Sequence, residues 1–331
     1  MCLDFSGVDL FWRIADDLSR GVEPGEKAWR SIFDTPAYRA LTASEFSEDF
    51  FRECWHLAFH PDSRREDPPS SRLRFVRHYR RVLQRKRELL PFLDRLRHSP
   101  DLHDSAAKMA LSHLPPGDYS APRVAFAVFD LDGRGYRPIV VDPLCAMTRG
   151  DQLLPFLAHE FHHHYVCQLT GVRLGTAQDN RTDLQWVVDQ IHLEGLANMV
   201  NMDGPFKEGT CPECFAREVR RAPEFLLFMD GQLRSLGDCP GEASSAGREI
   251  RARLPSSGHP VGYYMTALIR DHLGKEQLLQ NSGNALQFFR TFSRAEEAAD
   301  LCRTLSPEAL DILEHVVSGT AATDGPGPIT S

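Results

Sequence analysis

The chain has 331 residues, a net charge of −8, and 25% charged against 42% hydrophobic side chains, an ordinary globular balance. The acidic excess argues against a dedicated nucleic-acid binder, and with no run of about eighteen apolar residues no membrane-spanning helix is expected. Acids stand near the N-terminus where a signal peptide carries base, so the expected location is cytoplasmic, with the eight scattered cysteines reduced.

Residues 1–114 read as a helical N-terminal region. Phe11, Ile14, Ala15 and Leu18 keep helical spacing, and a second helix is expected from Ser44 towards Trp55. After the breaker Asp67–Ser71, residues 72–97 form a long basic helix that Pro91 kinks or divides. Its charges read as a solvated face answered by acids of neighbouring helices. Past Leu114-Pro-Pro-Gly117 the texture changes. Val124–Phe129 and Ile139–Val141 are short β-rich runs joined by a loop with Asp130, Asp132, Gly133 and Gly135. Helical periodicity then dominates from Asp151 to about residue 316, interrupted at Pro255–Pro260, and the polar tail 319–331 reads as disordered. The expected class is α+β, mainly helical.

The chemistry concentrates in Leu157-Ala-His-Glu-Phe-His-His-His-Tyr165, where His159, Glu160 and His163 spell His-Glu-x-x-His. On a helix, positions i and i+4 share a face, their β-carbons about 5–6 Å apart. Two imidazoles there can both reach one Zn²⁺ at about 2.0–2.1 Å. The intervening glutamate can deprotonate a water. The apolar stripe Leu153, Phe156, Leu157 continues through His159 and His163 to Val166 and Cys167, with Asp151 or Thr148 as caps. His162 and His164 point away from that face and are expected to be solvated.

A third ligand is needed. Val166 and Leu169 stand where a metzincin needs Gly and His, and Gly175-Thr176-Ala177-Gln178-Asp179 breaks the aspzincin pattern. On a helix expected from Asp183 to Asn201, Leu184, Val187, Val188 and Ile191 set the buried face, and Glu194 and Asn198 extend it. A carboxylate there needs a compensating cation, so Glu194 is the expected ligand, with His192 and Asp189 as alternatives. Asp189 or Asn198 can orient the ligand histidines.

His159-Glu160-x-x-His163, followed about thirty residues later by Glu194-Gly-Leu-Ala, resembles the gluzincin zinc metallopeptidases. The strand pair and Ala-His-Glu-Phe-His-His resemble most closely the uncharacterised zinc-dependent peptidase families. The match covers roughly residues 115–290. The resemblance implies a zincin-like catalytic domain over 115–318: a small sheet and the His-Glu-x-x-His helix above a helical lower lobe. It implies one catalytic Zn²⁺ on His159, His163 and Glu194, Glu160 as general base, and a peptide or protein substrate. Gluzincins draw a Tyr or His from the lower lobe to stabilise the oxyanion; His259 and Tyr263 are the candidates, with Tyr264 behind them. The segment that grips a free substrate N-terminus in aminopeptidases is absent.

Cys211-Pro-Glu-Cys214 is half of a zinc ribbon, with Cys239 as its nearest following partner; the expectation is free thiols rather than a second, structural zinc. Two other functions compete with a peptidase. A zinc hydrolase of a non-peptide amide would use the same site, and a metal-stabilised binding or regulatory protein would have no use for Glu160.

Overall fold

The computed structural model describes residues 3–63, 68–99, 101–170, 182–238 and 240–321. The protein is mainly helical with one small mixed sheet, the expected α+β class. It divides into two compact units, Met1–Ala110 with Asp118–Asp179, and Leu111–Gly117 with Asn180–Ser331. Among the described residues no helix is long and apolar enough to cross a membrane.

The first unit holds helices α1 (Ser6–Ser19), α2 (Glu26–Phe33), α3 (Pro36–Ser44), α4 (Glu48–Phe59), α5 (Ser70–Gln84), α6 (Lys86–Arg97), α7 (Asp101–Leu111, its last residue in the second unit), α8 (Pro143–Arg149) and α9 (Leu153–Thr170). Its strands are β1 (Leu3–Asp4), β2 (Val124–Phe126), β3 (Gly133–Arg134) and β4 (Ile139–Val141), in the order β1-β2-β4-β3. β1 and β4 flank β2 in parallel, Leu3 and Ile139 both facing Val124, while β3 runs antiparallel to β4 at the edge. The two central strands are wholly buried Val/Ile/Phe/Ala runs, as parallel strands require. β1 and β3, two residues each, are too short for alternation to show in the sequence.

Two expected boundaries move. Ser44 ends α3, and α4 starts four residues later, at Glu48, because the Ser47 hydroxyl caps it by accepting from Phe50 N at 3.1 Å. The basic stretch divides at Arg85, whose backbone leaves helical geometry (φ −96°, ψ 12°), whereas Pro91 lies inside α6. The basic side chains meet acids of the same unit: Arg72 pairs with Glu53, Arg74 with Asp130 and Lys86 with Asp16. Asp142 closes the sheet onto its helices. Fully buried at the end of β4, it accepts from Leu144 N and Cys145 N to cap α8, from Phe129 N, and from His78 of α5 at 2.8 Å.

The second unit consists of α10 (Asp183–Asn201), α11 (Asp203–Lys207), α12 (Glu213–Arg220), α13 (Ala222–Asp238), α14 (Ala243–Arg253), α15 (His259–Leu273), α16 (Lys275–Gln280), α17 (Ala285–Ala298) and α18 (Pro307–Ala321). α10 occupies the expected span, capped by the Thr182 hydroxyl. Of the tail expected to be disordered, 319–321 continue α18, and 322–331 lie outside the described residues. Leu184, Val187, Val188 and Ile191 of α10 pack with Val261, Met265 and Ile269 of α15 in one core. The two helices touch backbone to backbone. A β-carbon on Gly195 would stand 2.5 Å from Gly262 O, and one on Gly262 would stand 2.1 Å from Ile191 O.

Gly262→Ala forces α10 and α15 apart, and urea denaturation should show a loss of about 3 kcal/mol. A loss below about 0.5 kcal/mol would mean that the approach is not a constraint.

Candidate metal centre

Helix α9 is buried nearly all round: Phe156, Leu157, Ala158, Phe161, Tyr165 and Val166 cover its faces. Such a helix lies inside its unit rather than on a surface. It therefore carries its polar residues inside as well. His159 and His163 are each 5% exposed and Glu160 is 8% exposed. The two Nε2 atoms stand 3.0 Å apart, their rings nearly perpendicular at 89°. This contact fits either one N–H···N bond or two lone pairs offered to a single cation.

Glu160 lies against the edge strand. A β-carbon on Gly133 would meet its Oε1 at 3.2 Å, and one on Gly135 its Oε2 at 3.4 Å. Any larger residue at these two positions would crowd the carboxylate. The sequence marked both glycines only as loop residues. Glycine beside a predicted strand was the available signal for a close approach.

The neighbouring histidines differ from expectation. His162 is fully buried, not solvated. His164 is half-buried, its Nε2 3.3 Å from Ser120 O, and burial lowers its pKa, helped by Arg137. Neither expected cap serves α9: the Thr148 hydroxyl donates back to Leu144 O, and a 3₁₀ turn, Gly150–Gln152, which contains Asp151, precedes the helix.

In the second unit, Glu194 Oε2 lies 3.0 Å from His259 Nδ1, its side chain 14% exposed. Asn198, one turn further along α10, donates to His259 O at 3.1 Å and so holds His259. His259 opens α15 after a turn in which Ser256 (φ 43°), Ser257 (φ 53°) and Gly258 (φ 93°) are all left-handed. For the two serines this costs on the order of 1 kcal/mol each. The Ser256 hydroxyl donates to Glu218 at 2.6 Å, and the Gly258 β-position would crowd Ile191 N at 3.1 Å. The turn is thus held from outside, and it places His259 beside Glu194.

Of the alternatives on α10, His192 has another partner. His192 donates from Nε2 to Asn281 O at 2.9 Å, and burial lowers its pKa to about 4. Asp189 is half-buried. Tyr263 is 1% exposed, ringed by Phe206 and Phe215, and its hydroxyl donates to Asp203 at 3.2 Å. Burial and the Asp203 charge push its pKa up. Tyr264 is half-buried, edge-on to Phe292. Cys211 and Cys214 form no disulfide. Cys239 and the Gly175–Asp179 segment lie outside the described residues.

A family model described as "Putative zinc dependent peptidase (DUF5700)" matches residues 29–300. No curated protein and no solved structure matches the chain.

Asp203 carries the clearest pH signature near these residues. Burial alone would raise its pKa, but hydrogen bonds from Lys207 and Arg270 outweigh burial and hold it low. A depressed carboxyl adds stability above its unfolded pKa, near ~3.9, and loses it as pH falls through the folded value. Urea unfolding of wild type and Asp203→Asn should therefore differ at pH 7 and converge at about pH 2. An equal gap at both pH values would remove the assigned role of the charge.

Proposed function

The chain belongs to the DUF5700 family, and from that premise we propose that it is a gluzincin-type peptidase whose zinc is held by His159, His163 and Glu194. The buried pair of imidazole Nε2 atoms with Glu160 beside it carries this reading. Two histidines and a glutamate are a donor set that zinc accepts. The small sheet with α9 against it and the helical second unit are consistent with a zincin-like architecture.

When bound, zinc supplies Lewis acidity that makes a water nucleophilic near neutral pH and polarises the scissile carbonyl. Glu160 takes the proton of the attacking water and delivers it to the leaving amine. Its burial among the side chains of α9 suits it to that exchange. β3 offers an edge strand next to that carboxylate, and an extended peptide can add to such an edge through its main chain. A glycine-lined edge lets the peptide backbone approach closely, which favours a peptide over a compact amide as substrate. His259 orients the Glu194 carboxylate through its Nδ1 contact, the outer support that metal ligands usually have. Tyr263 is assigned to packing and to the Asp203–Arg270 pair rather than to the oxyanion.

Glu160→Gln should keep its zinc and lower kcat on a peptide library by about 10²–10⁴-fold. Tyr263→Phe should keep kcat within about threefold, a change worth less than 1 kcal/mol. Full activity in Glu160→Gln would overturn the base assignment, and a kcat collapse in Tyr263→Phe would return the oxyanion role to that residue.

A further inference from the structure

A second group of metal-ligand type lies in the first unit and shares no residue with the centre on α9. His56 and His60 stand one turn apart at the C-terminal end of α4, and Glu23 reaches them from the loop between α1 and α2. One donor atom from each of the three lies within 4.8 Å of the other two. His56 Nε2 contacts Glu23 Oε1 directly. The two imidazoles stack, with centroids 4.5 Å apart and planes 17° apart.

We propose that Glu23, His56 and His60 form a second divalent-metal site, of the nitrogen–oxygen type that suits zinc.

An ion pair between Glu23 and His56 accounts for only two of the three side chains. A shared cation engages all three, taking both rings and the carboxylate as ligands at once. The donor chemistry selects the ion. Two imidazoles and one carboxylate suit zinc and its borderline neighbours, whereas calcium and magnesium take oxygen alone.

The surroundings support the ligands. The far nitrogen of His56, Nδ1, lies 3.2 Å from the Ser63 hydroxyl, which fixes that ring and leaves Nε2 towards Glu23. His60 is 13% exposed on its side chain, so its ring is held, and the remaining soft torsion at χ2 lets it tilt towards an ion. The Asp62 carboxylate lies 3.8 Å from His60 Nδ1 and adds negative potential. Gly21, with φ 72°, turns the loop so that its β-position would lie 3.9 Å from His60 Nε2. Glu23 is 61% exposed, which leaves solvent to complete the coordination. The consequence is a clasp: a bound ion ties the α1–α2 loop to the end of α4.

The test uses the full chain, stripped with a chelator and titrated with Zn²⁺ against a chromophoric competitor. Wild type should bind two zinc ions, and His56→Gln/His60→Gln only one. His159→Gln/His163→Gln should retain one, and zinc should raise its thermal midpoint. Glu23→Gln, which alters only an exposed side chain, should weaken that remaining ion at least about 10-fold, with an unchanged circular dichroism spectrum. The proposal is overturned if Glu23→Gln and His56→Gln/His60→Gln bind as many ions as tightly as wild type. It is also overturned if the His159/His163 variant binds none. The reading of the α9 centre is judged separately: a single ion lost only in the His56/His60 variant would support the clasp and count against that centre.

Discussion

A helix buried over most of its surface that nevertheless carries His159, Glu160, His162 and His163 is the constraint around which the first unit is arranged. Taking a carboxylate and imidazoles out of water costs several kcal/mol unless partners replace the solvent. No stability argument recommends that sequence, since leucine at the same positions would pack at lower cost. The cost makes sense when the helix serves chemistry, because buried donors act more strongly on a ligand than solvated ones. The sheet is adapted to it. β3 is reduced to two residues, beginning at Gly133 and followed at once by Gly135, so that no side chain at either glycine crowds the Glu160 carboxylate.

The second unit shows a related adaptation. Gly195 follows Glu194, and its contact with Gly262 lets α10 and α15 meet at backbone distance. That approach fixes the first turn of α15 against α10, where Asn198 and Glu194 both reach His259. The left-handed serines before His259 are the strained part of the arrangement, held by Glu218 on one side and by the α10 backbone on the other. Rigid helices carry the carboxylate and its partner, and the strain is confined to the turn between elements. Placing functional groups on helices rather than loops keeps their geometry within narrow limits.

Much of this was legible in the sequence. The His159–His163 spacing, the span of α10 and the apolar stripe leading to Glu194 all follow from helical periodicity, the strongest signal a single sequence carries. The buried strands Val124–Phe126 and Ile139–Val141 were visible as β-branched runs. What escaped has physical reasons. β1 and β3 are pairings of two residues each, specified by tertiary contact and not by any local pattern. His162 is buried although helical geometry alone says only that its side chain points away from the face of His159 and His163. Pro91 misled because it sits inside α6 without ending the helix, whereas the actual break at Arg85 carries no proline or glycine. The partner of the Tyr263 hydroxyl, Asp203, lies sixty residues away in sequence, beyond the reach of any local pattern.

The central claim is that His159, His163 and Glu194 grip one zinc ion. Anomalous diffraction at the zinc edge from zinc-loaded crystals tests it most directly. The account predicts a peak about 2.0–2.1 Å from both Nε2 atoms and about 2.0–2.2 Å from a Glu194 oxygen. A zinc peak on the two histidines with Glu194 turned away, or no peak there at all, would contradict it.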